Sequence, residues 1–230
     1  MQGRDLIVKC LGEGKKKVII GGAIHGDEQN TVAMVESLYQ KFLLLSIPAD
    51  TSICFLPALN IDGVKNNTRR NANNVDLNRN WDTKNWITDA QGPTGIVPGS
   101  GGAFPFSEPE TRSFADFLLQ NQSSTETLVV LMYHSRYPPN GLVQPAYTID
   151  SGNYIPHAQS ATLAKYFASS IGSTFSVTYE GGYTITGEMI NWCGEKGLTC
   201  FDVELPDRTQ PTIDQIQKHY EAVLGILNNQ

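Results

Sequence analysis

Apolar runs recur along this chain at Lys17–Ile24, Ser52–Leu59, Thr127–Tyr133 and Leu198–Val203. They are nearly continuous in Val, Ile, Leu and Phe rather than alternating with polar residues, which is the pattern of strands buried on both faces. Between them the apolar spacing becomes helical. Asn30–Leu45 places Val35, Leu38, Tyr39 and Phe42 on one face. Ser107-Glu108-Pro109-Glu110 reads as a capping box that opens a helix carrying Phe114, Phe117 and Leu118. A third helix, Ala158–Ile171, is expected to stop at Gly172, and a last one begins at Pro211 and buries Ile213, Ile216, Tyr220, Val223 and Leu227. Strands alternating with helices predict a three-layer α/β/α sandwich around a largely parallel, mixed sheet.

Two irregular stretches interrupt this order: Asp82–Phe106, rich in Gly and Pro, and Ser135–Pro156, which contains Pro138-Pro139-Asn140-Gly141. Loops of that length in a compact domain commonly carry function. No repeat or linker divides the chain, and its 230 residues suit one domain, 1–230.

Composition narrows the function. A net charge of −6 argues against nucleic acid as a partner, and Lys15-Lys16-Lys17 reads as a solvated turn. No run approaches the ~20 apolar residues of a membrane span, so no membrane partner is expected. Met1-Gln2-Gly3-Arg4-Asp5 lacks the pattern of a signal peptide. Cys10, Cys54, Cys193 and Cys200 have neither zinc-knuckle nor redox spacing, and because three of them lie within apolar stretches they read as buried free thiols. Together these features predict a cytoplasmic protein.

The chemistry gathers where strands end. His25-Gly26-Asp27-Glu28 follows the first long strand and precedes a helix, His134 closes the strand from Thr127, and Glu204 closes the strand from Leu198. In open α/β sheets the carboxyl ends of the strands are where ligands bind. Two His and one carboxylate leave an open position on a zinc ion, as catalysis requires. An isolated His-x-x-Glu is common; convergence on one sheet edge gives this one weight. His157 and His219 lack such a setting and read as structural or exposed.

Asn60-Ile61-Asp62-Gly63, followed by Arg69-Arg70-Asn71-Ala72-Asn73-Asn74-Val75-Asp76-Leu77-Asn78-Arg79-Asn80-Trp81, resembles the zinc carboxypeptidases. It looks closest to their small bacterial members that act on murein peptides. That family carries His-x-x-Glu, then Asn-Pro-Asp-Gly, then an Arg ten residues before the Arg of Asp-x-Asn-Arg-Asn. A His-Ser pair and a strand-end Glu follow. Ile61 departs from the family's Pro, and the similarity opens at Gly3-Arg4 without the helix or strand that usually leads.

The resemblance implies one zinc per chain on His25, Glu28 and His134, with Glu204 as general base. It implies Arg69 as the oxyanion-stabilising residue; Arg70 is its neighbour in register, and the spacing to Arg79 favours Arg69. Asn78 and Arg79 would grip a substrate's terminal carboxylate. Tyr183, nine residues before Trp192, would be a mobile tyrosine after Gly181-Gly182. Gly187–Trp192 would line the side-chain pocket, with Glu188 and Asn191 on polar substrate groups and Arg136 on a second carboxylate. The function so implied is a metallocarboxypeptidase acting on a peptide with a free C-terminal carboxylate, including murein peptides with a γ-D-glutamyl-diaminopimelate bond. An aspartoacylase-type deacylase of N-acyl amino acids and a catalytically inactive peptide-binding module are the alternatives.

Overall fold

The computed structural model describes residues 2–44, 47–92, 95–178 and 183–228. In chain order, β1 (Lys9–Leu11) and β2 (Lys16–Gly21) lead into α1 (Gln29–Leu44), β3 (Thr51–Leu56) and the short α2 (Ile61–Asn66). A long segment with a 3-10 turn at Leu77–Arg79 and the small pair β4 (Gln91–Gly92) and β5 (Gly95–Ile96) runs on to α3 (Pro109–Ser124) and β6 (Thr127–Ser135). There follow β7 (Leu142–Pro145), the hairpin of β8 (Tyr147–Asp150) and β9 (Asn153–Pro156), α4 (Ala158–Ile171) and β10 (Thr174–Phe175). The order closes with α5 (Met189–Lys196), β11 (Thr199–Leu205) and α6 (Ile213–Asn228).

The main sheet runs β1-β3-β2-β6-β11-β7-β10. Its centre, β3, β2, β6 and β11, is parallel throughout and consists of the four apolar runs. Their side chains alternate between two cores. Val18, Ile20, Leu131 and Val203 pack with α1, α4 and α6, whereas Ile19, Val130 and Met132 pack with α3 and α5. This is the expected three-layer mixed sandwich. β1 and β7 run antiparallel to their neighbours, and β10 is parallel to β7. These flanking strands escape the sequence pattern because they are short, and β7 falls within the stretch read as irregular.

Several local expectations are corrected. The four cysteines are not free: Cys10 pairs with Cys54, and Cys193 with Cys200. The first pair arises because β1 lies antiparallel on β3 with these two residues in direct register. The second closes the turn at Gly197, whose positive φ of 68° folds the end of α5 back toward β11. The capping box at α3 is not made: Glu108 is the N-cap residue without a side-chain cap bond, and Pro109 opens the helix. Its carboxylate accepts instead from Asn71 Nδ2 (2.7 Å), Asn73 Nδ2 (2.8 Å) and Ser107 Oγ (2.8 Å), tying the helix start to the 71–73 loop.

α6 begins at Ile213 rather than Pro211, and Ile213, expected inside, is 85% exposed because the first turn precedes the buried face. Lys16 and Lys17 belong to β2, where Lys17 Nζ donates to Asn121 Oδ1 (2.7 Å). Gly172 ends α4 in the left-handed conformation, as expected. Leu45 and Gly181-Gly182 lie outside the described residues.

Candidate active site

Beyond β2 the chain turns sharply. Ala23 adopts a left-handed φ of 46°, costly for a residue with a Cβ. Its N–H donates to Thr31 Oγ1 (2.9 Å) and its carbonyl accepts from Asn60 N (2.9 Å), which holds the turn. Gly26 then lies against Gly63; a Cβ on Gly26 would come within 2.1 Å of the Gly63 carbonyl carbon. The Asn60–Gly63 run is therefore the seat of the His25 corner. Gly26 N (3.3 Å) and Asn60 Nδ2 (3.0 Å) both donate to the Arg69 carbonyl, so the same seat positions Arg69. On the other side, β6 and β11 pair with His134 directly opposite Glu204. Paired residues present their side chains to the same face of a sheet.

His25, Glu28 and His134 are buried and each offers a ligand atom within 4.8 Å of the others. The two Nδ1 atoms face one carboxylate: His25 Nδ1 is 2.9 Å from Glu28 Oε1, and His134 Nδ1 is 3.6 Å from Glu28 Oε2. Glu28 Oε2 also accepts from Ser135 N (3.1 Å). Each Nε2 is turned to an aspartate. His25 Nε2 lies 3.1 Å from Asp76 Oδ1, and His134 Nε2 lies 3.4 Å from Asp202 Oδ2, within ion-pair range but without hydrogen-bond geometry. Aspartates behind the outer nitrogens fix the rings, so that two Nδ1 atoms and one carboxylate can share an ion. The donor set therefore fits zinc.

The electrostatics agree. Burial would raise the Glu28 carboxyl, but His25 and His134 outweigh it and hold it well below the usual range. Burial would lower His134, but Asp202, Glu28 and Glu204 lift it well above its ordinary value. Asp76 is likewise held low, since Arg69, His25 and Arg79 overcome its burial. Glu204 moves the other way. Burial pushes it up to about 7, with Glu28 and Asp202 adding to the rise and His134 opposing it. Its side chain is only half-buried and reaches the cavity, while Oε2 has no hydrogen-bond partner among the described residues.

These groups line a cavity of about 310 Å³ together with Arg69, Asn78, Arg79, Arg136, Tyr183 and Glu188. Arg69 Nε donates to Asp76 Oδ2 (2.9 Å), and its guanidinium lies 3.8 Å from Glu28 Oε1. Burial disfavours the Arg69 charge, but Asp76 and Glu28 more than restore it. Arg70 points elsewhere, to Asn74 Oδ1 (3.2 Å). Asn78 Oδ1 accepts from Met189 N (3.0 Å), joining the 3-10 turn to the start of α5. Arg79 is buried and donates to the carbonyls of Asn78 (2.7 Å) and Gln91 (3.1 Å) and to Tyr183 Oη (3.5 Å). No carboxylate lies within 4.0 Å of it among the described residues. Arg136 is exposed at the mouth. Asn191 does not join the cavity; it is buried, with Nδ2 donating to the Tyr147 carbonyl (3.1 Å). His219 is a buried structural histidine that accepts from Tyr133 Oη (2.9 Å), and His157 caps α4.

Asp202, Gln144 and Arg208 also line the cavity and were not foreseen. Asp202 had a signal: in Phe201-Asp202-Val203-Glu204 it lies two residues before Glu204 and so on the same strand face. Gln144 and Arg208 have none, because the four-residue β7 is too short to show a strand pattern and Arg208 follows the end of β11.

The sequence model of the zinc carboxypeptidase family matches residues 2–224. The chain is 26% identical to murein peptide amidase A of Vibrio campbellii over 230 residues, which spans 94% of this chain and 79% of that protein. The crystal structure of murein-tripeptide amidase from Escherichia coli O157 superimposes with a TM-score of 0.62 at 21% identity, covering 94% of this chain and 82% of the other. Bovine thrombin-activatable fibrinolysis inhibitor gives a TM-score of 0.75 at 20% identity, covering 97% and 85%.

Proposed function

We propose, since this chain belongs to the zinc carboxypeptidase family, that it is a zinc-dependent hydrolase removing the C-terminal residue from peptides that end in a free carboxylate. The observation that carries this reading is one cavity holding both the His25, Glu28 and His134 trio and a buried Arg79 with no carboxylate within 4.0 Å among the described residues. A buried guanidinium of that kind is a fork for a substrate carboxylate.

When bound to the trio, zinc supplies the Lewis acidity that polarises a carbonyl and makes water a usable nucleophile near neutral pH. The chain's own groups do the rest. Glu204, opposite His134 and lifted to about 7, can take a proton from the attacking water and return it to the leaving amine. Arg69 is held charged by Asp76 and faces the trio, where negative charge develops on the carbonyl oxygen. Arg79 anchors the terminal carboxylate, with Tyr183 and Asn78 beside it. Murein peptides are the candidate natural substrates, supported by the murein amidase relatives and by the exposed Arg136, which suits a second carboxylate. The two disulfides fit an oxidising compartment better than the cytoplasm that free thiols would have suited.

The test compares kcat/KM on L-Ala-γ-D-Glu-diaminopimelate and on simple peptides with their C-terminal amides. The amides should react at least ~10-fold more slowly, because an unpaired buried Arg79 penalises them by about 1.4 kcal/mol or more. Equal rates on acid and amide would discard the carboxypeptidase reading.

A further inference from the structure

The chain carries a net charge of −6, yet its positive groups are not spread evenly. Of its seven arginines, Arg69, Arg79, Arg136 and Arg208 line the reaction cavity. Arg69, Arg79 and Arg208 also line a second, smaller cavity of about 180 Å³, where Arg70 joins them. The two cavities therefore adjoin along three guanidiniums. The rest of the smaller one is walled by Gln91 and Gly92 of β4, by Val97 and by the buried Ser100, none of which lines the reaction cavity.

Asp76 is the one acid among the described residues that line this annex. It is already engaged, accepting from Arg69 Nε (2.9 Å) and facing His25 Nε2 (3.1 Å). Arg70 and Arg208 have no task in the reaction. Arg70 donates through Nη1 to Asn74 Oδ1 (3.2 Å), and no carboxylate lies within 4.0 Å of it among the described residues. Arg208 donates through Nη1 to Asp27 Oδ2 (2.9 Å). The remaining nitrogens of both have no acceptor among the described residues. Guanidiniums crowded round a small cavity repel one another until an anion enters, and open forks match the paired oxygens of a carboxylate.

Tyr183, Ile185 and Glu188, which stand around the leaving residue in the proposed reaction, do not line the annex. Arg208 is tethered to Asp27, the neighbour of the metal ligand Glu28, and Arg70 follows Arg69. We propose that Arg70 and Arg208 form an anion site for a carboxylate carried by the acyl half of the substrate, on the residue whose carbonyl is attacked. This rests on the carboxypeptidase reading and specifies the other half of its substrate: an acyl residue that keeps a free acid of its own. A glutamyl residue linked through its γ-carboxyl does so, because its α-carboxylate stays free at the end of a short flexible chain. Arg70 and Arg208 are specificity residues here, since they hold the acyl group and do not touch the reacting bond.

The experiment uses the zinc-loaded full chain and peptides L-Ala-X-Lys that differ only in X: γ-linked D-glutamate, D-isoglutamine or γ-aminobutyrate. Isoglutamine turns the free carboxylate into an amide of the same shape, and γ-aminobutyrate removes it. The acid should exceed both at least ~10-fold in kcat/KM. Arg70→Gln and Arg208→Gln should each cut the acid-to-amide ratio by about 3-fold, and the double variant should bring it near one. A ratio within one variant cancels any general loss of metal or activity. Calorimetry on zinc-loaded Glu204→Gln, which should leave the peptides intact, should find the acid bound ~10-fold more tightly than the amide. If acid and amide are cleaved alike, or if the double variant keeps the full ratio, the annex is not an acyl-carboxylate site, and the carboxypeptidase reading stands. If no C-terminal residue is released from any peptide, that reading fails, and equal affinity for acid and amide would then overturn the annex as well.

Discussion

At the scale of single residues, the site separates groups by the charge each must carry. Glu204 is lifted to about 7 by burial among other acids, so it can change protonation state near neutrality, whereas Arg69 is locked as a cation by Asp76. Glu204→Gln should therefore keep metal and fold but lose roughly 10²–10⁴-fold in kcat, because an amide cannot accept the proton. Metal analysis alongside steady-state kinetics checks it, and near wild-type turnover would put the base elsewhere. Arg69→Ala should lower kcat by ~10²–10³ with a smaller change in KM, since its charge matches an oxyanion that forms after binding. A rise in KM alone would make Arg69 a substrate-positioning residue. The cluster is legible in the sequence because His25, His134 and Glu204 sit where apolar strands end, and because the Asp76–Asn80 motif is specific. Its supporting aspartates are less so. Asp76 stands in the motif without declaring that it braces His25, and Asp202 shows its side only once β11 is known to be a strand.

At the scale of elements, strands β2, β3, β6 and β11 and helices α1, α3, α4 and α6 follow from periodicity because each buries a large apolar face. What periodicity misses is decided by partners distant in sequence. β1 exists because β3 offers it an edge, and with it comes the Cys10–Cys54 bridge. Glu108 stands at the N-cap of α3 without capping it, because two asparagines of the 71–73 loop hold its carboxylate. The corner that carries His25 depends in the same manner on its seat. Gly26→Ala would force a Cβ into the Gly63 backbone, and the corner would have to move. The variant should lose ~1–3 kcal/mol of stability and release zinc more readily, read by urea unfolding and by competition with a chelator. Unchanged zinc affinity would show that the corner tolerates the shift.

At the scale of the whole molecule, stability is tied to pH through a histidine remote from the reaction. His219 on α6 is buried against β6 and accepts from Tyr133, and burial pushes its pKa from 6.5 down to about 3. The unfolded chain takes up a proton near pH 6.5 that the folded chain refuses until about pH 3. The stabilisation from a neutral His219 is thus complete above the unfolded pKa and is lost as pH falls through this window. The loss is at most ~1.4 kcal/mol per pH unit from this group. Urea midpoints should fall between pH 7 and 4, and His219→Asn, which does not titrate, should flatten that slope. An identical slope in the variant would assign the acid sensitivity to other groups.

The ladder between β6 and β11 has a consequence for how such a chain can change over time. Glu204 faces its cavity because it stands opposite His134, and Asp202 shares that side because a strand repeats every two residues. Inserting or deleting one residue between Cys200 and Glu204 would turn every later side chain to the other layer. Depending on how the register recovered, Val203 or Leu205 would stand where an acid is needed. This strand can thus vary in composition, yet its length is held to steps of two.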